Sequence, residues 1–118
     1  MTNALATRIA ASFGLLAVAL GAFGAHGLKE VLARNSTAAI WEKAVLYHFV
    51  HAIMLFFLAS RVPFRLGPWL SFAFGILLFS GSLYLLAWTN ARWLGAITPL
   101  GGLSFLVGWL WLLLRPPA

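Results

Sequence analysis

Four long apolar stretches follow one another along this chain, and they restrict its possible folds more than any other feature. They cover approximately residues 7–25, 38–59, 68–88 and 93–114. Roughly 20 helical residues cross a bilayer core about 30 Å thick, so each stretch is long enough to span a membrane. Lipid offers the backbone no hydrogen bonds, and no stretch alternates as a barrel strand does, so helices are predicted. The expected fold class is all-α integral membrane, with one four-helix transmembrane domain over residues 1–118.

The composition of the chain points to the same class. Hydrophobic residues make up 63% of the 118 residues and charged residues only 8%, which lies outside the range of soluble domains. The net charge of +6 comes from Lys and Arg residues that stand singly at the edges of the apolar stretches, as membrane anchors do. We therefore expect the lipid bilayer, and not nucleic acid, as the partner of these charges. The chain has no cysteine, which excludes disulfides and thiolate metal sites.

The longest connection, residues 26–37, has the pattern of a short interfacial helix between the first and second spans. Its apolar and charged residues fall on different helical sides: Leu28, Val31 and Leu32 against Lys29, Glu30 and Arg34. The six tryptophans are expected to be anchors at the headgroup level. The two sides of the membrane carry equal numbers of basic residues, so the positive-inside rule gives no preference from the side chains. The N-terminal amine adds one positive charge, which favours cytoplasmic termini.

Small residues at helical spacing predict where the spans pack together. Helices associate in lipid through close backbone approach, which Gly, Ala and Ser permit. The predicted inward positions are Gly14, Ala17, Gly21 and Ala25 on the first span, Ser71, Gly75 and Ser82 on the third, and Gly101, Ser104 and Gly108 on the fourth. Pro99 is expected to start or kink the fourth helix, because proline removes a backbone donor.

Polar side chains deep in the second span form the one constellation that could carry chemistry. Lys43, Tyr47, His48 and His51 share an arc of roughly 140° on the helix, and His51 lies near the bilayer centre. Polar groups at such depth are costly and should face the bundle interior. The other members of the candidate polar site are His26, Ser82, Tyr84 and Thr98, with Ser80 beside them. We predict that they line a polar recess opening toward the first and third loops.

Two interpretations of this recess stay open. In one, the Ser, Thr, Tyr and neutral His side chains make interhelical hydrogen bonds that fix the bundle. In the other, they form a ligand or proton site, which a His, Tyr and Lys line reaching mid-membrane would suit. Haem would need two histidines on different helices at matched depth, and zinc would need a third close ligand. No cofactor and no metal are therefore predicted.

Enzymatic chemistry lacks its usual residues in this chain. Glu30 and Glu42 are the only acidic side chains and neither lies deep in a span, while Ser80 and Ser82 have no base on their own helix. We predict a non-enzymatic protein that acts through helix-mediated contacts, as a homo-oligomer or an accessory subunit of a larger membrane complex. The alternatives are a small proton-linked carrier or channel using the polar face of the second span, and a haem- or quinone-binding subunit.

Several motifs in combination resemble a known family. They are Gly21-Ala22-Phe23-Gly24-Ala25-His26-Gly27-Leu28, Trp41 followed by Ala44-Val45-Leu46-Tyr47-His48 and His51-Ala52, Gly81-Ser82-Leu83-Tyr84, and Gly95-Ala96-Ile97-Thr98-Pro99-Leu100-Gly101-Gly102. This pattern is similar to the small bacterial membrane proteins grouped as domain of unknown function 423, and distantly to eukaryotic transmembrane protein 256. The resemblance implies a four-helix, multi-pass protein of the bacterial plasma (inner) membrane. It assigns no activity to any residue.

Overall fold

The computed structural model describes all 118 residues and contains only helices and their connections. The α-helices are α1 (Asn3–Ala25), α2 (Lys29–Asn35), α3 (Ala38–Ala59), α4 (Leu66–Gly75), α5 (Gly81–Thr89) and α6 (Thr98–Leu114). A π-helical turn, Ile76–Ser80, joins α4 to α5, and a 3-10 helix, Arg92–Ala96, precedes α6. Four continuous segments are long and apolar enough to cross a membrane: Asn3–Ala25, Ala38–Ala59, Leu66–Thr89 and Arg92–Leu114. The predicted all-α class, with four spans and a short helix after the first, is confirmed.

Helix α1 begins four residues before the apolar stretch that predicted it. The hydroxyl of Thr2 accepts a hydrogen bond from the Leu5 amide at 3.1 Å, which satisfies one of the free donors at the helix start. The Asn3 side chain donates to the carbonyls of Ala59 at 2.7 Å and Arg61 at 2.9 Å. These bonds fasten the start of α1 to the end of α3. They also explain why α1 includes polar residues that precede the apolar stretch.

The spans pack mainly against their neighbours in sequence. Helix α1 packs along α3, α3 packs against the segment Leu66–Thr89, and that segment packs against α6. The core therefore lies between α3 and the third span, where Leu55, Trp69 and Phe72 are fully buried. Helices α1 and α6 are outermost, and most of the surface of each faces outward.

Helix α2, the short helix predicted between the first and second spans, lies against the start of α3 and the end of α5. Leu28 and Leu32 are buried against Trp41 and Ala87, while the charged residues of α2 are exposed. The Asn35 side chain donates to the carbonyls of Ala87 at 3.2 Å and Trp88 at 3.0 Å. Because the last carbonyls of a helix have no partner inside it, these bonds both cap α5 and hold α2 in place.

The third and fourth spans approach most closely at Gly101. A Cβ atom on Gly101 would collide with the backbone of Leu78 and Phe79, in the π-helical turn. Phe105 occupies the space above Gly75, and a Cβ on Gly108 would lie 2.6 Å from Phe72. Ser104 donates to the carbonyl of Ser71 across the same interface at 2.6 Å. The small residues of these two spans thus lie in the helix contact, and Pro99 stands in the first turn of α6.

The small residues of α1 are placed differently from the prediction. Ala17 is buried, and a Cβ on Gly21 would lie 3.3 Å from Val45. Gly14, however, has no atom within 4 Å of the position of a Cβ, and Ala25 is exposed. The expectation that both point inward is wrong, because α1 has a single spanning neighbour and α3 covers only part of its small-residue face.

Four of the six tryptophans fall into two contrasting pairs. Trp88 and Trp93 are 53% and 70% exposed, as interfacial anchors would be. Trp41 and Trp69 are 4% and 2% exposed and belong to the packed interior. The anchor prediction is therefore wrong for Trp41 and Trp69. The indole of Trp41 lies against Gly24 and donates to the Leu20 carbonyl of α1 at 2.9 Å.

We expect Gly101→Ala to destabilise the bundle by about 1–3 kcal/mol, because the added methyl group meets backbone atoms that cannot rotate away. Gly81→Ala is the matched control, since a Cβ at Gly81 has nothing within 4 Å, and we expect it to be neutral or slightly stabilising. Unfolding of the purified protein by SDS titration in bicelles measures both effects. Equal unfolding midpoints for the two variants would contradict the close approach at Gly101.

Candidate functional site

Two histidines of α3 lie inside the membrane-spanning part of the protein. His48 is 3% exposed and His51 is 4% exposed. Their spacing of three residues puts both on the same helical face, which is the face that packs against the third span. A polar ring at this depth is stable only when its nitrogen atoms have partners, so the hydrogen bonds of each ring decide what it can do.

Both ring nitrogens of His51 are engaged. Its Nε2 accepts a hydrogen bond from the indole Nε1 of Trp109 at 3.0 Å, and its Nδ1 lies 2.7 Å from the carbonyl of Tyr47. An indole N–H can only donate and a carbonyl can only accept, so the ring is neutral with its hydrogen on Nδ1. The ring also stacks on Phe105, with centroids 3.7 Å apart and planes 10° apart. His51 is therefore held on three sides.

His48 has one strong partner. Its Nδ1 lies 2.8 Å from the hydroxyl of Tyr84 on α5, and its Nε2 is buried without a hydrogen bond. The ring of Phe13, on α1, meets the imidazole edge to face at 6.0 Å and 85°. His48 thus joins α3 to α5 through a hydrogen bond and α3 to α1 through an aromatic contact.

The buried hydroxyl groups bridge helices in the same way. Ser80 donates to the carbonyl of Ala44 at 2.7 Å, and Thr37 donates to the carbonyl of Ala87 at 2.6 Å. The hydroxyls of Ser82 and Thr98 lie 2.7 Å apart and connect the third span to α6. Each bond satisfies a polar group that lipid would leave unpaired, and each links two spans.

The predicted polar site is divided rather than gathered into one recess. His48 meets Tyr84, and Ser82 meets Thr98, but these two pairs line none of the larger cavities. His51 is buried and bonded to Trp109 instead of to another side chain of the set, and the remaining members, His26, Lys43 and Tyr47, are exposed. The prediction of a polar recess is therefore wrong. Its physical reason is that an arc of roughly 140° is wider than the contact face of α3, so its edge residues turn toward lipid.

The larger cavities are grooves on the outer surface, on either side of α3. One groove of about 500 Å³ runs between α1 and α3, and Phe49 connects it to a pocket of about 390 Å³ near α2. We name this the α1–α3 groove; its long part is lined by Ala10, Ala11, Gly14, Leu15, Val18, Phe49, Ala52, Ile53 and Phe56. A second groove of about 500 Å³, the α3–α6 groove, is lined by Tyr47, His51, Phe79, Pro99, Gly102, Leu103, Phe105, Leu106 and Trp109.

Sequence reasoning missed the aromatic partners of His51. Trp109 was expected to be an interfacial anchor, but it donates to a histidine near the centre of the bundle. Trp109 lies five residues before Leu114, the last residue of α6, about 7.5 Å from that helix end. Its place in the sequence therefore did not distinguish it from an interfacial anchor. Phe105 gave no signal of its own, because stacking on His51 depends on how α3 and α6 cross.

Comparisons with known proteins agree with this architecture. The model of a family described as a protein of unknown function (DUF423) matches residues 20–102. The chain is 48% identical over 103 residues to the UPF0382 membrane protein YwdK of Bacillus subtilis, covering 81% of this chain and 82% of the relative. It is 46% identical over 101 residues to a UPF0382 membrane protein of Staphylococcus epidermidis, covering 81% of each.

A relative from Escherichia coli matches a larger share of the chain. The UPF0382 inner membrane protein YgdD is 38% identical over 114 residues, covering 92% of this chain and 86% of the relative. No solved structure matches the chain.

A double-mutant cycle tests the bond between Trp109 and His51. We expect a coupling free energy of roughly 0.6 to 1.7 kcal/mol between Trp109→Phe and His51→Phe, because interhelical hydrogen bonds in lipid have this strength. Phenylalanine at position 51 keeps an aromatic ring against Phe105, so the cycle isolates the nitrogen atoms. The free energies of unfolding come from SDS titration in bicelles. The pair of Trp93→Phe with His51→Phe is the control, and a coupling no larger than that of the control would contradict the bond.

Proposed function

Because this chain belongs to the DUF423 family of membrane proteins, whose relatives carry the UPF0382 name, we propose that it is a non-enzymatic membrane subunit that binds a transmembrane helix in its α1–α3 groove. The observation that carries this proposal is the open floor of that groove at Gly14, where no atom lies within 4 Å of the position of a Cβ. An apolar side chain of another helix fits such a gap.

The deep polar residues support a structural role better than a catalytic or carrier role. A proton carrier needs a group that can gain and lose a proton. His51 has both nitrogens in hydrogen bonds, and a proton on Nε2 would oppose the N–H of Trp109. The two acidic residues, Glu30 and Glu42, are exposed and lie outside this network. The hydrogen bonds of His48, Ser80 and Thr98 fit fixation of the bundle.

The outer face of the protein is where a partner has to bind. The spans are joined by short connections, so the chain offers little surface outside the lipid. Small residues of α1 floor the α1–α3 groove, and Phe49 and Phe56 of α3 form its wall. Close backbone approach over small residues is the usual way in which membrane helices associate. The groove therefore suits a helix better than a soluble partner.

The partner helix belongs either to a second copy of the chain or to another membrane protein. The first case makes the protein a homo-oligomer and the second an accessory subunit of a larger complex. We place the protein in the bacterial plasma (inner) membrane, because a relative is named an inner membrane protein. We also propose cytoplasmic termini, for which the N-terminal amine is the deciding charge.

Photo-crosslinking in native membranes tests this proposal. A photoreactive phenylalanine at Leu15, which is 73% exposed and lines the groove, is expected to form a protein adduct. The same probe at Leu113, which is 76% exposed on α6, is the control and is expected to label lipid. We expect Gly14→Leu to lower the adduct yield from position 15 roughly tenfold, the effect of about 1.4 kcal/mol of lost packing.

Gly81→Leu is the matched control substitution, since position 81 also has nothing within 4 Å but lies on the third span. It is expected to leave the yield unchanged. The mass of the adduct distinguishes a second copy from another protein. Adducts with lipid alone at position 15, or equal yields in the two glycine variants, would refute the proposed helix-binding function.

A further inference from the structure

The hydroxyl of Tyr47 has no hydrogen bond within the chain, although it lies on a membrane-spanning helix. Tyr47 is the tenth residue of α3, about 14 Å along the helix, and its side chain is 40% exposed. Lipid tails offer no acceptor at that depth, so a free phenol hydroxyl there is unfavourable. The buried or half-buried hydroxyl groups of Thr37, Ser80, Ser82, Tyr84 and Thr98 each have a partner on a neighbouring helix. The hydroxyl of Tyr47 therefore needs an acceptor from outside the chain.

The groove beside Tyr47 is large enough for a small molecule and is lined by aromatic rings. Tyr47 borders the α3–α6 groove, whose volume of about 500 Å³ is in the range of small-molecule sites. The rings of Tyr47 and His51 lie within 12° of parallel, and those of His51 and Phe105 within 10°. Aromatic rings prefer offset stacking against one another. His51 and Phe105 are stacked on each other and are each only 4% exposed, so they form the back of the groove, whereas Tyr47 is 40% exposed and borders its open side.

The groove is formed before any ligand enters. His51 is fixed by Trp109 and by the Tyr47 carbonyl, so its ring cannot turn away from the wall. Preformed sites bind more tightly because less motion is lost on binding. The two hydrogen bonds of His51 therefore also fix one side of the α3–α6 groove.

Gly102 keeps this groove open. A Cβ at Gly102 would meet only Phe79, at an ordinary distance of 3.8 Å. Its neighbour Gly101 is required for helix packing, because a Cβ there would collide with backbone. Helix packing therefore does not require glycine at position 102. The absence of a side chain there leaves space beside Pro99 and Trp109, which also line the groove.

We propose that the α3–α6 groove binds a membrane quinone. The ring lies in the groove beside Gly102, one of its carbonyl oxygens accepts a hydrogen bond from the hydroxyl of Tyr47, and the apolar tail extends into lipid. A partner helix fits this groove less well, because its carbonyls are already paired along its own backbone. A phospholipid carries its carbonyls near the headgroups and not at the depth of Tyr47. The inference is binding alone, and it is independent of the α1–α3 groove.

Fluorescence titration tests this proposal with the full chain in nanodiscs of one phospholipid. The probe is decylubiquinone, a benzoquinone with a ten-carbon tail, which quenches tryptophan fluorescence on contact, and Trp109 lines the groove. We expect saturable quenching in the wild type. Tyr47→Phe removes only the hydroxyl, and we expect its Kd to rise roughly tenfold, which corresponds to one lost hydrogen bond.

Three glycine variants complete the test. Gly102→Leu fills the groove and is expected to abolish saturable quenching, whereas Gly14→Leu and Gly81→Leu are expected to keep the wild-type Kd. Size-exclusion chromatography and circular dichroism verify the fold of each variant, and Tyr47→Phe decides the outcome if Gly102→Leu does not fold. Unsaturable quenching that is equal in all variants would show partition into lipid and would overturn the proposal. Loss of binding in Gly14→Leu, or an unchanged Kd in Tyr47→Phe, would overturn it as well.

Discussion

The structure depends above all on the lack of hydrogen-bond partners in lipid. Of 90 backbone hydrogen bonds, 74 lie within helices, so the chain satisfies its own peptide groups almost everywhere. The exceptions at helix ends are handled by side chains. Asn3 donates to the last carbonyl of α3, and Asn35 and Thr37 donate to carbonyls in the last turn of α5. The same requirement explains why the buried hydroxyls and histidines pair across helices: at this depth each of them must find a protein partner.

The packing of the four spans is unequal, and this inequality separates a rigid part from an open part. The third and fourth spans meet backbone to backbone at the π-helical turn, with Gly101 as the contact. Helix α1 has one spanning neighbour and leaves Gly14 uncovered. The two grooves flanking α3 also differ in the residues that line them. The α1–α3 groove is floored by small apolar residues, while the α3–α6 groove is walled by aromatic rings and a phenol.

Much of the fold could be predicted from the sequence, because apolar length and breaks in it are local properties. The four spans, helix α2 and the contacts of Gly75, Gly101 and Gly108 follow from spacing alone. The placement of side chains around each helix was harder. Lys43 and Tyr47 share an arc with the histidines, but only the crossing of α3 with its neighbours decides which edge of that arc is covered. The spacing of small residues along α1 predicted that Gly14 faces the bundle interior. No feature of α1 itself reveals that this span is outermost in the bundle. The bond between Trp109 and His51 joins residues 58 positions apart, which helical spacing cannot detect.

The order of the spans in space follows their order in the sequence, since the main contacts join each span to the next. A bundle connected in this way can be assembled as it is synthesised. Each newly inserted helix finds its neighbour already in the membrane, although the bond between His51 and Trp109 forms only when the last span arrives. Local contacts of this kind favour rapid folding, and they limit the time during which a polar group such as that of His48, whose partner Tyr84 is on the next span, faces lipid unpaired. Biogenesis of the protein is thus simplest when the translocon releases the helices one by one.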